Sequence, residues 1–375
     1  MERRDFMKKA GLGATAGALL TGCSNNAAEG GAAAVQTQPN LRWRLASSFT
    51  RSLDTIFGAA EVMADRVNQL TDGRFRIRVY PANELVPAFE VLESVQKSTV
   101  HMGHSASYYY IGKNPALAFD CTIPFGMTAR QFNAWAYHGE GLETLRALFA
   151  DFNILNFPGG NTGTQMGGWF NREIHSMQDL RGLTMRIPGI GGRVMAEMGT
   201  TVQQIPAGEI YPALERGTID AAEWVGPYDD EKLGFHQIVK HYYYPGWWEP
   251  GPNLSFYVNR DAWNQLPAFY QQALEVSMKE ANLYMLSRYD AENPAALQRL
   301  LGQGVLLHPF PDDVMQAARD IAAELLESNT SEPGYAKIYT AYTQWRDVAY
   351  RWFSTSEQTY AAFAYGNAGS EECSL

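Results

Sequence analysis

Apolar and polar residues alternate along three short segments near the start of the patterned chain, and two segments with helical periodicity separate them. The strands are predicted at residues 42–47, 74–80 and 100–105, and the helices at residues 54–70 and 86–97. A chain that runs strand, helix, strand, helix, strand favours a mostly parallel sheet with helices on its faces. The first domain is therefore predicted to be α/β.

The same mixture of strands and helices begins again after Leu148, and long helices follow it. Strands are predicted at residues 152–157, 165–170, 185–187 and 254–259, and helices at residues 191–199, 210–216, 266–286, 293–303, 312–328 and 335–364. Two α/β domains with a helical tail predict a cleft between the domains, where ligands bind near strand ends.

The first 40 residues have a different character. Residues 1–22 contain the pair Arg3-Arg4 and then an apolar stretch too short to span a bilayer, which indicates an export signal of the twin-arginine type. A small residue precedes Cys23, as at a lipoprotein cleavage site, which would make Cys23 a lipid-carrying first residue. An ordinary cleaved signal that happens to contain a cysteine is the alternative. Residues 23–40 are small and polar and are predicted to form a flexible tether.

Charge and cysteine content narrow the class of protein. The chain of 375 residues has a net charge of −10, which argues against a nucleic-acid partner. Beyond the signal, no segment is apolar enough to predict a membrane span. Apart from Cys23, only Cys121 and Cys373 remain, and one pair predicts no disulfide framework, so their state stays open.

Three glycine-punctuated segments place polar side chains among apolar ones. Gln165 lies in residues 157–170, Arg186 ends a predicted strand, and Glu223 and Glu249 each lie beside tryptophans. An arginine in such a position is suited to a bidentate contact with a carboxylate. Carboxylates among indoles are costly to desolvate, and Arg186 cannot serve both of them and an anionic ligand. A metal ion held by the two glutamates, the Gln165 amide oxygen and a backbone carbonyl would meet this need, because hard cations take oxygen ligands.

Simpler interpretations fit the same residues one at a time. Arg186 alone fits a surface strand, Glu223 or Glu249 alone fits a solvated loop, and residues 108–110 fit the edge of a core. With Arg186 and one ligand carboxylate counted, Ca²⁺ would neutralise the site and Na⁺ would leave one negative charge, so both cations stay open. The residues themselves indicate an exported two-domain α/β protein with a candidate anion site.

Together these segments resemble the solute-binding proteins of tripartite ATP-independent periplasmic (TRAP) transporters, the DctP-like family. The resemblance extends from Trp43 to at least Ala364. Its general segments are residues 91–100, 179–186 and 209–220. Its more specific segments are residues 157–170, 223–235 and 242–252, which resemble the branch that binds 2-oxo acids such as pyruvate, or lactate with a metal ion.

The resemblance implies an α/β, two-lobed, periplasmic-binding-protein-like fold with mostly parallel sheets, a long helix between the lobes and a helical C-terminal tail. The implied boundaries are lobe I at 41–156 with a return segment around 250–290, lobe II at 157–249 with later helices at 291–330, and a C-terminal helix at 331–375. The cleft would close on the ligand by hinge motion. The C-terminal helix either exchanges between subunits of a homodimer or packs on its own lobe.

The resemblance also implies residue roles. Arg186 would pair with the substrate carboxylate. The implied ligands of a bridging Na⁺ or Ca²⁺ are Gln165, Glu223, Glu249 and the backbone carbonyl of Trp224. The other implied substrate contacts are Tyr108 and Tyr109, as hydrogen-bond donors, and Met166 and Trp247, as walls of the pocket.

The expected function is that of a periplasmic subunit, lipid-anchored if Cys23 is modified, that delivers a small 2-oxo monocarboxylate to TRAP membrane subunits and catalyses no reaction. Lactate or another 2-hydroxy acid with Ca²⁺ is the alternative ligand. A metal-dependent exported enzyme on 2-oxo acids is a second class, although the sequence shows no nucleophile–base pair and no cofactor motif. A sensing module that docks on a membrane receptor is a third.

Overall fold

The computed structural model describes residues 38–366, which contain two β-sheets. Their strands are β1 Leu41–Ser47, β2 Phe75–Tyr80, β3 Met102–Ser105, β4 Ile154–Asn161, β5 Trp169–Phe170, β6 Thr184–Arg186, β7 Thr201–Gln203, β8 Ala221–Ala222, β9 His241–Tyr244, β10 Asn253–Asn259 and β11 Leu306–Pro309. The first sheet has the order β2-β1-β3-β10-β4, and the second has the order β11-β9-β5-β8-β6-β7. The export signal, Cys23, most of the tether and Cys373 lie outside the described residues.

Both sheets mix parallel and antiparallel pairings within the expected α/β class. In the first sheet, β1 pairs in parallel with β2 and β3, whereas β10 lies antiparallel between β3 and β4. In the second, β6 pairs in parallel with β7 and β8, β9 pairs in parallel with β11, and β5 is antiparallel to both of its neighbours. The chain therefore forms most of the second sheet before β10 returns to complete the first one.

The helices surround these sheets. They are α1 Gly58–Leu70, α2 Val91–Gln96, α3 Ala118–Cys121, α4 Ala129–His138, α5 Gly141–Ala150, α6 Gly189–Glu197, α7 Ala207–Glu215, α8 Pro227–Leu233, α9 Arg260–Asn264, α10 Ala268–Gly302, α11 Asp312–Glu327, α12 Pro333–Phe353 and α13 Thr359–Gly366. None of the helices within residues 38–366 combines the length and the apolar character needed to cross a membrane.

The expected long helix is α10, and it corrects the prediction of two helices at 266–286 and 293–303. It runs through 35 residues with Pro294 inside it. An internal proline usually ends or kinks a helix because a backbone hydrogen bond is lost. We call the first sheet with the elements packed on it the first region, and the second sheet with its elements the second region. Here α10 packs on α1 and β4 in the first region and on α8 in the second, and buried Tyr289, Ala296 and Leu300 flank the proline. Tertiary packing on both sides of Pro294 outweighs that local preference.

Other sequence-based elements also differ from the structure. The helix predicted at 335–364 is divided into α12 and α13 by a π-helical turn at Ser354–Gln358. The elements that were not predicted are strands β7, β8, β9 and β11 and helices α3, α4, α5, α8 and α9. Cys121 is a buried free thiol, so it is part of the core.

Candidate ligand and cation site

Arg186 ends β6, next to the end of β8 in the second sheet, and its side chain is 1% exposed. Its Nε donates to the carbonyl of Ile205 at 3.0 Å, and its Nη1 donates to the carbonyl of Glu223 at 3.0 Å and to the Glu223 carboxylate. The guanidinium also lies 5.0 Å from the ring centroid of Trp224. Nη2 is buried, and no described residue accepts a hydrogen bond from it. One donor of a fully buried guanidinium is therefore available to an anion.

Glu223 follows β8 and is brought to Arg186 by the pairing of parallel strands. Its backbone N–H donates to the carbonyl of Arg186 at 3.2 Å, which extends the β6–β8 ladder by one residue. The side chain is 1% exposed, and Oε1 pairs with Arg186 while Oε2 has no partner. Burial raises the pKa of Glu223, although the charge of Arg186 acts to lower it.

Glu249 and Gln165 come from two loops that pair through their backbones. The N–H of Gln165 donates to the carbonyl of Glu249 at 3.1 Å, and the N–H of Gly246 donates to the carbonyl of Gln165 at 2.8 Å. A Cβ at position 246 would lie 2.5 Å from the carbonyl oxygen of Met166, so only glycine allows this approach. The loop 165–166 therefore lies against the residues that carry Glu249.

Three buried oxygen atoms of this group have no hydrogen-bond partner among residues 38–366: Oε1 of Gln165, Oε2 of Glu223 and Oε2 of Glu249. The amide of Gln165 is oriented by its Nε2, which donates to Thr162 Oγ1 at 3.1 Å. Burial raises the pKa of Glu249, and the charge of Glu223 raises it further. Two buried carboxylates that share one arginine favour a bound cation, and oxygen donors suit Na⁺ or Ca²⁺. Within residues 38–366, no cluster of three or more His, Cys, Asp or Glu forms a metal site, so a cation here would need the amide oxygen as well.

Tyr108 and Tyr109 reach the site from a 3₁₀ turn at Ser107–Tyr110, directly after β3. Both side chains are buried, and their rings meet edge to face at 5.0 Å. Burial raises the pKa of both phenols, so they stay protonated and can donate hydrogen bonds to an anion.

A small cavity of about 10 Å³ lies between residues of the first sheet region and residues of the second. This is about the space of one water molecule. Its lining includes four of the predicted site residues, namely Tyr108, Tyr109, Gln165 and Trp224. Its apolar wall is formed by Phe49, Ile56, Val225, Pro252 and Leu254, and Thr162 completes the lining.

Met166 and Trp247 do not line this cavity. The backbone N–H of Met166 donates to the carbonyl of Val225 at 3.1 Å. Trp247 is 4% exposed and stacks on Phe125, with ring centroids 5.5 Å apart and an interplanar angle of 11°. Both residues thus belong to the loops that carry Gln165 and Glu249.

Two buried aspartates on α8 support the site, and sequence reasoning missed them. Asp229 accepts from the indole of Trp224 at 3.2 Å and from the hydroxyl of Tyr289 on α10 at 2.7 Å. Asp230 accepts hydrogen bonds from side chains of the second sheet, namely Trp169 at 2.9 Å and Tyr242 at 2.7 Å. Burial raises the pKa of Asp229 to about 6 and that of Asp230 to about 7. Adjacent acidic residues in the first turn of a helix are usual on protein surfaces. In the sequence, only the apolar residues around Asp229 and Asp230 could have indicated that these two are buried.

Comparison with known proteins identifies the family. The model of the DctP family, bacterial extracellular solute-binding protein family 7, matches residues 46–332. A protein of Nostoc sp. called a monocarboxylate 2-oxoacid-binding periplasmic protein is 49% identical over 365 residues, which are 97% of this chain and 99% of the relative.

Two solved structures are similar over most of the chain. A TRAP transporter solute-binding protein from Bordetella bronchiseptica, a dimer with copurified calcium and picolinate in its occupied site, has a TM-score of 0.87 and 46% identity, covering 88% of this chain and 98% of its own. A TRAP periplasmic solute-binding protein from Pseudoalteromonas atlantica, with bound sodium and pyruvate, has a TM-score of 0.83 and 42% identity, covering 86% of this chain and 98% of its own. The chain therefore belongs to the DctP family of TRAP transporter solute-binding proteins, which are not enzymes.

Proposed function

We propose that this protein binds a short 2-oxo monocarboxylate of the pyruvate type together with Na⁺ or Ca²⁺, and delivers it to the membrane subunits of a TRAP transporter. The observation that carries the proposal is the buried Arg186, which pairs with Glu223 and keeps Nη2 free, while Glu223 and Glu249 each keep a buried oxygen without a partner among the described residues. The relatives from Nostoc, Bordetella and Pseudoalteromonas support the ligand class and the cation.

In this proposal the ligand meets two positive charges, that of Arg186 and that of the cation. Arg186 pairs through Nη2 with the ligand carboxylate, which satisfies the free donor. The cation is held by Oε1 of Gln165, Oε2 of Glu223, Oε2 of Glu249 and the carbonyl of Trp224, and it bridges to the ligand. Tyr108 and Tyr109 donate hydrogen bonds to the ligand from the other side, while Met166 and Trp247 hold the loops that carry Gln165 and Glu249.

The small volume of the cavity supports a cleft that opens, and its apolar wall supports a ligand with a short alkyl end. A cavity of about 10 Å³ is smaller than any carboxylic acid, so a ligand would enter only after the two regions separate. The apolar wall that contains Phe49, Ile56 and Leu254 would face the short alkyl end of the acid. A 2-hydroxy acid such as lactate with Ca²⁺ fits the same donors and is the alternative ligand.

Thermal unfolding of the mature protein with a panel of acids tests this function. A ligand at 100 times its Kd adds about 2.7 kcal/mol to the free energy of unfolding, which raises Tm. We expect the shift with short 2-oxo monocarboxylates, and its loss after chelation and dialysis. A shift with lactate alone would select the alternative ligand, and a shift only with dicarboxylates or sugar acids would contradict the proposed ligand class.

Export, anchoring and assembly complete the proposal. The protein is exported by the twin-arginine signal at 1–22 and anchored through Cys23, which mass spectrometry of the membrane fraction would test. The homodimer is supported by exposed apolar side chains on α12 and α13, namely Val348, Trp352, Tyr360, Phe363 and Tyr365. Light scattering of wild type and of a chain ending after residue 353 would measure whether α13 is needed for the dimer.

A further inference from the structure

Two tyrosines on α12 hold a short loop of the first region. The hydroxyl of Tyr350 lies 2.6 Å from the carbonyl oxygen of Phe125 and 2.7 Å from that of Gly126, and it donates to this pair. The hydroxyl of Tyr342 accepts from the backbone N–H of Met127 at 3.0 Å. The C-terminal helix therefore contacts residues 125–127 through their backbones, so these contacts set the position of the loop.

The loop 125–127 in turn holds the segment that carries Glu249. The N–H of Phe125 donates to the carbonyl of Trp247 at 2.9 Å, and the two rings stack with 11° between their planes. The guanidinium of Arg319 lies 5.4 Å from the centroid of the Phe125 ring. Phe125 has a φ of 52°, a left-handed conformation that is uncommon for a bulky residue and persists where neighbours hold it.

A second close approach joins the segment that carries Glu249 to the residues that follow the loop 125–127. A Cβ at Gly251 would lie 2.4 Å from the backbone nitrogen of Ala129, so this loop lies directly on the start of α4. The turn from Gly246 to Glu249 is closed by the N–H of Glu249, which donates to the carbonyl of Gly246 at 3.0 Å. Glu249 and Gln165 then pair through their backbones at 3.1 Å. A shift of Trp247 would thus be transmitted to two of the proposed cation ligands.

We propose that Tyr350 and Phe125 are positioning residues for the cation and ligand site, although neither belongs to it. Tyr350 fixes Phe125, Phe125 fixes Trp247, and the Gly246–Glu249 turn then presents Glu249 and Gln165 with the right spacing. The affinity of the site depends on the docking of α12, which couples the C-terminal helix to ligand binding. This inference rests on the proposed function, because it assigns a supporting chain of contacts to that same site.

The test compares Tyr350→Phe with Tyr360→Phe as a matched control. Both substitutions remove one phenol hydroxyl from the C-terminal helices, but Tyr360 is 70% exposed on α13. We would measure the Kd of Ca²⁺ alone and of pyruvate with Ca²⁺ by calorimetry, and the Tm of the ligand-free protein. We expect Tyr350→Phe to weaken both affinities by about 2- to 30-fold, the range found for residues that act through others. We expect Tyr360→Phe to behave as wild type.

A second pair of variants separates positioning from general stability. Phe125→Leu loses the ring stack on Trp247, and Phe125→Tyr keeps it. At temperatures well below Tm, we expect Phe125→Leu to weaken the binding of Ca²⁺ and pyruvate. We expect Phe125→Tyr to bind both with wild-type affinity.

The outcomes distinguish this inference from the proposed function. Wild-type affinities in Tyr350→Phe and Phe125→Leu, with only Tm lowered, would overturn the positioning role and leave the function intact. Binding of Ca²⁺ without pyruvate would contradict the proposed ligand, while the Ca²⁺ titrations would still test the positioning role. A wild-type protein that binds neither would overturn both.

Discussion

The protein contains two groups of buried carboxylates that differ in whether their oxygens meet hydrogen-bond donors. Asp120, between the 3₁₀ turn and the first sheet, accepts from Asn156 at 2.8 Å through Oδ1 and from Ser255 at 2.7 Å and Ser107 through Oδ2. Glu223 and Glu249 are buried to the same extent, yet each keeps one oxygen without a partner. A buried carboxylate with every oxygen satisfied costs little, whereas one with a free oxygen is costly until a partner arrives. Asp229 on α8 also keeps Oδ1 without a partner, so a free oxygen alone does not mark a ligand site.

The two groups should therefore respond in opposite ways when a charge is removed. Neutralising Asp120 removes an acceptor that three donors use. Neutralising Glu249 removes a charge for which the folded protein supplies too few partners. Four substitutions and a pH series test this contrast, and the largest effect is expected at Arg186.

Arg186→Ala should weaken the binding of pyruvate more than any other substitution, since it removes the donor to the ligand carboxylate. Losing one partner of a buried charge pair costs about 2–5 kcal/mol of binding free energy, which is a factor of about 30 to several thousand in Kd. Calorimetry measures this, with exposed Arg181→Ala as a control of the same chemistry. Unchanged affinity in folded Arg186→Ala protein would contradict the role of Arg186.

Glu249→Gln should weaken Ca²⁺ and pyruvate binding on the order of tenfold or more, because affinity for hard cations depends on the number of charged ligands. In the same variant the ligand-free protein should be as stable as wild type or more stable, because a poorly compensated buried charge is gone. Denaturant unfolding with and without Ca²⁺ measures both effects. A large loss of stability in the ligand-free state would mean that Glu249 is structural, like Asp120.

Asp120→Asn should do the reverse. We expect a loss of about 1–3 kcal/mol in the free energy of unfolding, because the serine hydroxyls lose their charged acceptor. The change in the Kd of pyruvate should be smaller than that in Glu249→Gln, since Asp120 reaches the site only through the turn that carries Tyr108. Equal losses of affinity in the two variants would remove the contrast between the groups.

The sequence indicated several residues of the site, but it did not show which hydrogen-bond partners the buried carboxylates have in the fold. Arg186, Glu223, Gln165 and Glu249 could be selected because charged and amide groups lay among glycines and indoles. Asp120 could not, because its partners Ser107, Asn156 and Ser255 are 13, 36 and 135 residues away in the chain. Hydrogen-bond partners are set by the fold, so the three donors that satisfy Asp120 become visible only in the folded structure.

Secondary structure could likewise be predicted only where the local sequence determines it. Local periodicity predicted β1, α1, β2, α2 and β3, but it missed helices α4 and α5, which follow them. It divided α10 at Pro294, since local propensity does not include the packing of α1, β4 and α8 against that helix. It missed β9 and β11 for a related reason: these short strands are stabilised by pairing with each other in parallel rather than by their own composition.

The pH dependence of stability gives a further test. Burial raises the pKa of Glu223 and Glu249, and that of Asp230 to about 7, so these three carboxyls hold more protons in the folded protein without cation than in the unfolded chain between about pH 4.3 and 7. Buried His104 offsets one of these protons below about pH 6.5, because burial lowers its pKa to about 3. Stability should therefore fall as pH rises through this window, by about 1.4 kcal/mol per pH unit for each extra proton. Ca²⁺ should reduce the slope, because it stabilises the ionised glutamates. Equal slopes with and without Ca²⁺, measured by denaturant unfolding, would contradict a cation at these oxygens.

The smallest effect is expected where a carboxylate is exposed and paired. Asp54, before α1, forms ion pairs with Lys232 on α8 and with Arg288 on α10 at 2.7 Å, and 45% of its side chain is exposed. Burial acts to raise the pKa of Asp54, but Lys232 and Arg288 lower it overall, so its contribution to stability is lost as pH falls. Since exposed pairs contribute little, Asp54→Asn should cost less than about 1 kcal/mol in unfolding. These pairs join the first region to α8, so the same variant should also favour the open cleft and weaken pyruvate binding by less than about fivefold. A larger loss of affinity than in Glu249→Gln would mean that closure of the cleft, rather than the site itself, dominates binding.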